Sequence, residues 1–512
     1  MNAVRVEERA GEPILRSRPP EPCTVTIFGA SGDLTARMLV PALYELARDR
    51  ALPEEFAVVG FARQPLGAEG VRAKLEEAVA RFARRKPIDR EVWRWLAGRI
   101  DWVSGGYDDL DAYVRLGERL ANLERTKGLP GNRLYYLATP PDVFPVILDR
   151  LRASGLVRHG AVAAPWTRVV IEKPFGHDLE SSRALDRVAS AALDERQIFR
   201  IDHYLGKETV QNLLVFRFGN AVFEPLWNRA HVQHVEITAA ETIGVEGRGR
   251  FYDATGVLRD VVQNHMLQIL AYVAMEPPVS FASDDIRNET ARALRTLRSI
   301  DGPDVADHAV RAQYRGYREE PGVDPASRTP TFAALRVYLD SWRWQGVPFY
   351  LRAGKKLAAR VTEVAIHFRP VPTCLFRTPD VCQQLAPNVL RLRIQPDEGI
   401  ALRFEAKIPG ADLALGGVEM SFDYANGFRR PSQDAYERLL LDCMRGHGTL
   451  FVRRDVVDLQ WQFVTPIIRA WEADSRPLPV YEPRSTGPQE ADRLAARAGD
   501  RWCVLEEAPP AA

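Results

Sequence analysis

Nine consecutive residues, Arg200-Ile201-Asp202-His203-Tyr204-Leu205-Gly206-Lys207-Glu208, hold two fixed cations, an imidazole, a phenol and two carboxylates directly after the apolar pair Ile198-Phe199. A phosphate placed against His203, Tyr204 and Lys207 would also meet the free amides of a helix read over residues 207–218. A solvated charged loop at a strand end is the plainer account, and the flanking segments must decide between the two. A second candidate is His265, read within one helix over residues 258–270 with Val261, His265 and Ile269 on one line and Asp260, Gln263, Asn264 and Gln268 beside it. A histidine on an apolar helical line is commonly a core residue. As a chemical group, an imidazole with an ordinary pKa of about 6.5 can take the proton of an alcohol that is losing hydride. None of the nine histidines pairs with cysteine or carboxylate at metal-ligand spacing, so no metal is expected.

The elements that would position these groups begin with a β-prone run over residues 24–28, the turn Gly29-Ala30-Ser31-Gly32-Asp33-Leu34, and helical spacing of Leu34, Met38, Leu39, Leu43 and Leu46 through residue 47. Strand, glycine turn and helix open a dinucleotide-binding unit: Gly29 lets the chain turn and Gly32 lets backbone approach a pyrophosphate. A plain strand-to-helix turn would carry the same two glycines. The next strand, residues 56–61, ends in Ala62-Arg63-Gln64 with no acid before Glu69. An arginine there suits a ribose 2′-phosphate, so NADP is expected, with NAD a weaker alternative because a guanidinium also stacks on adenine. Strands over 133–138 and 167–171 alternate with helices over 143–154 and 179–193, the latter capped by Asp178, and Lys173 stands at the end of the second of these strands. Such alternation implies a doubly wound, mainly parallel α/β sheet whose ligands sit at the C-terminal strand ends.

From Val232 onward the texture changes to long alternating runs over 232–240, 332–340, 361–368, 389–395 and 401–408, the signature of a large antiparallel sheet with one face covered. The chain is therefore divided into a loose tail over 1–22, a Rossmann domain over 23–200, a β+α substrate and oligomerisation domain over 201–490, and a tail over 491–512. The 69 Lys+Arg against 68 Asp+Glu leave no net field, so neither nucleic acid nor an anionic membrane is an expected partner. Five scattered cysteines favour reduced thiols over a disulfide framework, and with no apolar span of membrane length the expected location is cytoplasmic.

Together these strings resemble the glucose-6-phosphate dehydrogenase family over most of the chain: Phe28-Gly29-Ala30-Ser31-Gly32-Asp33-Leu34, Glu172-Lys173-Pro174-Phe175-Gly176, Arg200 through Glu208, Glu246-Gly247-Arg248-Gly249, Gln263-Asn264-His265, and Leu351-Arg352-Ala353-Gly354-Lys355. The resemblance implies oxidation of β-D-glucose 6-phosphate by NADP to 6-phosphoglucono-δ-lactone, the entry to the oxidative pentose phosphate pathway, by a homodimer or a dimer of dimers. It also implies roles. His265 falls on the general base, Asp202 on the carboxylate that orients it, and His203, Tyr204 and Lys207 on the phosphate set, with Gly206 letting backbone approach the phosphate. Lys173, Glu241, Asp260, Lys355, Arg360 and Gln395 fall on positions that hold the sugar or its phosphate, and Lys173 on one that touches both ligands. Two rivals remain: a sugar oxidoreductase of the glucose–fructose oxidoreductase type, which has no need of a cationic pocket, and a silent NADP-binding sensor, which has no need of an intact Asp202, Lys207 and His265.

Overall fold

The computed structural model describes residues 20–65, 67–376, 382, 385–410, 413–424, 427 and 434–505. The tail expected at the N-terminus lies almost entirely outside these residues, as does the stretch beyond 505. Six strands build most of the first sheet: β1 (Cys23–Phe28), β2 (Phe56–Ala62), β3 (Ile100–Ser104), β4 (Arg133–Leu137), β5 (Thr167–Ile171) and β6 (Ile198–Ile201). They lie in the order β6-β5-β4-β1-β2-β3, all parallel. Every residue of β1, β2 and β5 is buried, because helices cover both faces of a parallel sheet and leave no solvated side to mark by alternation. The strand order reverses between β1 and β4, and the crevice at that reversal is where such sheets hold dinucleotides.

The second layer is a sheet of nine strands among the described residues. These are β7 (Val232–Ala240), β8 (Ala309–Tyr314), β9 (Phe332–Val337), β10 (Phe349–Gly354), β11 (Val361–Phe368), β12 (Val389–Gln395), β13 (Gly399–Lys407), β14 (Leu415–Asp423) and, after the short strand β15 (Phe451–Val452), β16 (Val480–Tyr481). The order is β14-β13-β12-β11-β7-β10-β9-β8-β16. Pairing is mainly antiparallel, as the alternating runs require, but β7 runs parallel to β10 and β8 parallel to β16. The two halves are not cleanly separated: β15 returns to pair antiparallel with β6, Phe451 opposite Ile201.

Three expectations need correction. Residues 491–505 do not form a tail. The helix Gln489–Ala496 buries Ala491, Leu494 and Ala495, and beyond it Asp500 accepts from Tyr350 Oη at 2.7 Å while the Cys503 amide donates to Glu236 at 2.9 Å. Its composition is charged only on the outer side, which is why it reads as a tail. Cys374 and Cys382 are joined in a disulfide, so the cysteines are not all reduced thiols; eight residues of separation close a local loop that a framework pattern would not show. The helix containing His265 is not a plain α-helix: Leu258–Met266 is π-helical, and the α-helix Leu267–Ala274 continues it. The helix after the glycine turn likewise begins with a π-helical stretch, Thr35–Leu39.

Candidate active site

The site lies where the C-terminal ends of the parallel strands meet the second sheet. Asp202 follows β6 directly and is 1% exposed; His265 is 3% exposed. The wider π-helical turn places Asp260 and His265 together against the end of β5, where Lys173 projects. His265 Nδ1 lies 2.5 Å from Asp202 Oδ1, and Lys173 Nζ lies 2.8 Å from His265 Nε2. An ammonium can only donate, so Nε2 accepts from Lys173 and Nδ1 carries the proton toward Asp202. Burial, and then the charge of Lys173, hold the His265 pKa well below its ordinary value, and burial raises that of Asp202. The result is a neutral imidazole in one tautomer, its basic lone pair held by Lys173.

Asp202 Oδ1 also accepts the Tyr204 amide at 2.9 Å, which fixes the turn that carries the phosphate candidates. The Tyr204 ring stacks on His265 at 4.1 Å, and Lys207 Nζ stands 4.3 Å from the centre of the same ring. The Tyr204 hydroxyl accepts from Gln395 Nε2 at 3.1 Å, and Gln395 Oε1 in turn accepts from Lys207. His203 lies edge-on to His265, with ring centres 4.6 Å apart. Burial lowers the Lys207 pKa to about 8 and, with neighbouring His265, drives that of His203 well below its usual value, so at neutral pH Lys207 stays largely cationic while His203 is neutral.

The remaining expected residues fall around this centre. Lys355 pairs with Glu241, and both line a small cavity with Tyr204, Tyr252 and Thr362. Asp260 Oδ1 lies 3.3 Å from Lys173 Nζ; burial opposes its charge, but Lys173 and Lys355 hold its pKa below the ordinary carboxylate value. Arg360 is exposed just before β11, and its charge reaches Lys207. Gly206 also makes room for the helix Ala435–Arg445, since a Cβ there would lie 2.9 Å from the Ala435 carbonyl oxygen.

On the cofactor side, Gly29 has φ +81° and its amide donates to Phe61 O at 3.0 Å, tying the turn to β2; a side chain there would strike the Ala138 carbonyl. Gly32 N donates to Gly29 O at 2.9 Å, folding Ala30, Ser31, Asp33 and Leu34 around the strand end. Thr139 Oγ1, just past β4 at the reversal of strand order, is buried with no partner, and Arg63 is exposed at the tip of β2. An orphaned hydroxyl, a glycine turn and an exposed cation along one crevice fit a dinucleotide.

Local spacing had no means of finding Thr139, Thr362, Tyr252 or Tyr136. Tyr136 Oη donates to Glu172 at 2.5 Å, and burial raises Glu172 to about 6. Tyr136 and Thr362 join the site through strand register, Thr139 from the turn after β4, and Tyr252 from the helix Gly249–Val257.

Comparison with known proteins follows the same line. The sequence model described as glucose-6-phosphate dehydrogenase, NAD binding domain, matches residues 26–212, and that of the C-terminal domain matches residues 214–503. The chain belongs to the glucose-6-phosphate dehydrogenase family. A glucose-6-phosphate 1-dehydrogenase of Aggregatibacter actinomycetemcomitans is 45% identical over 492 residues, spanning 94% of this chain and 97% of that one. One from Chlamydia pneumoniae is 42% identical over 498 residues, spanning 94% and 96%. Among solved structures, a glucose-6-phosphate dehydrogenase in complex with its substrate glucose-6-phosphate shares 33% identity at a TM-score of 0.86, covering 96% of this chain and all of the other. No helix among the described residues is long and apolar enough to cross a membrane.

Proposed function

We propose that this chain is a glucose-6-phosphate dehydrogenase that oxidises β-D-glucose 6-phosphate at C1 to 6-phosphoglucono-δ-lactone with NADP, the entry to the oxidative pentose phosphate pathway. The observation that carries the reading is the neutral His265, held by Asp202 at 2.5 Å on one side and bonded by Lys173 at Nε2 on the other, with the Tyr204 ring of the Lys207 cluster stacked on it. Bound NADP supplies the acceptor for the C1 hydride. His265 Nε2 takes the C1 hydroxyl proton as the C1–H bond breaks, leaving the lactone carbonyl. Asp202 offsets the charge that then develops on the imidazole and keeps the ring from turning. Lys173 must yield its hydrogen bond at Nε2 to the substrate hydroxyl, which leaves its ammonium beside both reactants.

His203, Tyr204 and Lys207 receive the phosphate, with Arg360 at the rim; Glu241, Asp260, Lys355 and Gln395 hold the sugar. A bound phosphate would stabilise the Lys207 ammonium, which burial makes easier to deprotonate. Holding the substrate by a remote group directs binding energy into the near-attack geometry of C1. NADP is favoured over NAD by Arg63 and by the absence of an acid at the tip of β2. Assembly as a homodimer or homotetramer belongs to the same reading, supported by exposed Val418 and Met420 on β14 with Phe404 beside them on β13. So does a cytoplasmic location, supported by the family's reaction rather than by the cysteines. Purified protein mixed with glucose 6-phosphate and NADP is expected to yield NADPH and lactone in equal amounts; no NADPH at neutral to mildly alkaline pH would end the proposal.

A further inference from the structure

Glu172 is a buried carboxylate to which the proposed reaction gives no part. It follows β5 directly, is 8% exposed and stands one residue before Lys173. Tyr136, fully buried on the neighbouring β4, donates to its Oε1 at 2.5 Å, and Tyr436, on the helix Ala435–Arg445, acts on it from the other half of the chain. Burial pushes the carboxyl up to about 6, while the Tyr136 hydroxyl and the Lys173 charge pull it down, so at neutral pH the group is mainly ionised. Stability does not call for a charge there. Taking a carboxylate out of water is costly, and apolar side chains of similar volume commonly serve a core as well or better.

The helix Ala435–Arg445 runs back along β5 and is tied to it at both ends. Arg168, the second residue of β5, donates from Nη1 to the Cys443 and Met444 carbonyls at 2.9 and 2.7 Å, closing the helix C-terminus. Tyr436, in the first turn, meets Glu172 just beyond the other end of the strand. Strand from 168 to 172 rises about 13 Å and helix from 436 to 443 about 11 Å, so the two ties match in length. The same helix end presents the Ala435 carbonyl to Gly206, so one element backs both Glu172 and the turn that carries Lys207.

Adjacent residues of an extended chain point to opposite sides, and Pro174 disfavours helical backbone at Lys173. With Glu172 fixed inward, Lys173 is aimed the other way: Nζ reaches His265 Nε2 at 2.8 Å, the Asp260 carbonyl at 3.0 Å and Asp260 Oδ1 at 3.3 Å. We propose that Glu172, clamped by Tyr136 and Tyr436, is a positioning residue that sets where the Lys173 ammonium stands against His265. The inference rests on the proposed dehydrogenase reaction and deepens it, since Glu172 acts through Lys173 rather than on either ligand.

The test compares Glu172→Gln, Lys173→Ala and the double variant in the NADPH assay. Glu172→Gln keeps the side-chain volume and an acceptor for Tyr136 but removes the charge. Its kcat is expected to fall about tenfold or more, given that a displacement of about 1 Å at a reacting group can cost about a hundredfold, with KM for glucose 6-phosphate little changed. In the Lys173→Ala background the same substitution should have little further effect, because a residue that acts through Lys173 has nothing left to place. Wild-type kcat in Glu172→Gln, a rise in KM with kcat kept, or an equal loss with and without Lys173 overturns the inference. A wild type that yields no NADPH overturns the reaction itself, whereas NADPH from the wild type with any of those three results sinks only the positioning role. If Glu172→Gln does not fold by circular dichroism, Tyr136→Phe, which removes the donor and leaves the carboxylate, is read by the same outcomes. If Lys173→Ala turns over too slowly to measure, kcat against KM in Glu172→Gln decides alone.

Discussion

Asp202 and His265 show how far single residues could be read from the sequence. The types suit the base and orienting carboxylate of the proposed reaction, and the structure brings them to 2.5 Å across 63 positions of chain. What no spacing could state is the tautomer, because that depends on Lys173 reaching Nε2 from another strand. The assignment has a kinetic consequence. His265→Asn should cut kcat by about two powers of ten or more with little change in glucose 6-phosphate affinity, as expected when a general base is lost; near-wild-type turnover would remove His265 from that role.

The pH behaviour follows in sign. Burial and Lys173 hold the His265 pKa below the ordinary value of about 6.5, so the base stays unprotonated at neutrality and the acid limb of kcat/KM should fall below about pH 6.5. A limb above pH 7 would contradict it. Because His203 and His265 both bind protons less readily when folded than when unfolded, they also remove stability as pH falls below about 6.5, which chemical denaturation across that range would register. Arg63→Ala should raise KM for NADP far more than for NAD, since only the former carries the 2′-phosphate; equal increases would assign Arg63 to adenine stacking.

At the level of elements, the runs after Val232 were legible as strands, although only β12 alternates in burial while β7, β9, β10 and β11 are covered on nearly every residue, and the buried parallel strands were legible as short apolar runs between turns. The π-helical stretch Leu258–Met266 was not legible, because its residues keep an ordinary helical pattern and only the contact with Lys173 and Asp202 reveals the wider turn. The packing demand at Gly206 was hidden for a similar reason. A glycine in a charged motif suggests close approach to a ligand, and the structure adds a neighbour that needs the space, the Ala435 carbonyl oxygen, 2.9 Å from where a Cβ would stand. Gly206→Ala should therefore push the Asp202–Lys207 turn off the helix Ala435–Arg445, cost about 1–3 kcal/mol in urea unfolding as overpacking does, and raise KM for glucose 6-phosphate with NADP binding unchanged. Unchanged stability and KM together would show the turn is set elsewhere.

At the scale of the molecule, the division into a parallel and an antiparallel half was visible in texture, while the ties between them were not. β15 crosses back to β6, and the segment through Cys503 docks on β7 and β10, in both cases through backbone and polar contacts formed far along the chain. The site exists because these halves are fixed to each other: the strand ends supply Lys173 and Asp202, the π-helical turn supplies His265, and β12 supplies Gln395 to Lys207. In the proposed reaction, the substrate phosphate and the reacting carbon are thereby held at a set distance, and turnover depends on that span. That dependence is tested most directly by measuring kcat for glucose and for glucose 6-phosphate with saturating NADP. If the remote phosphate orients C1 against His265, glucose should show a much lower kcat as well as a higher KM. Equal kcat for the two sugars would contradict the account.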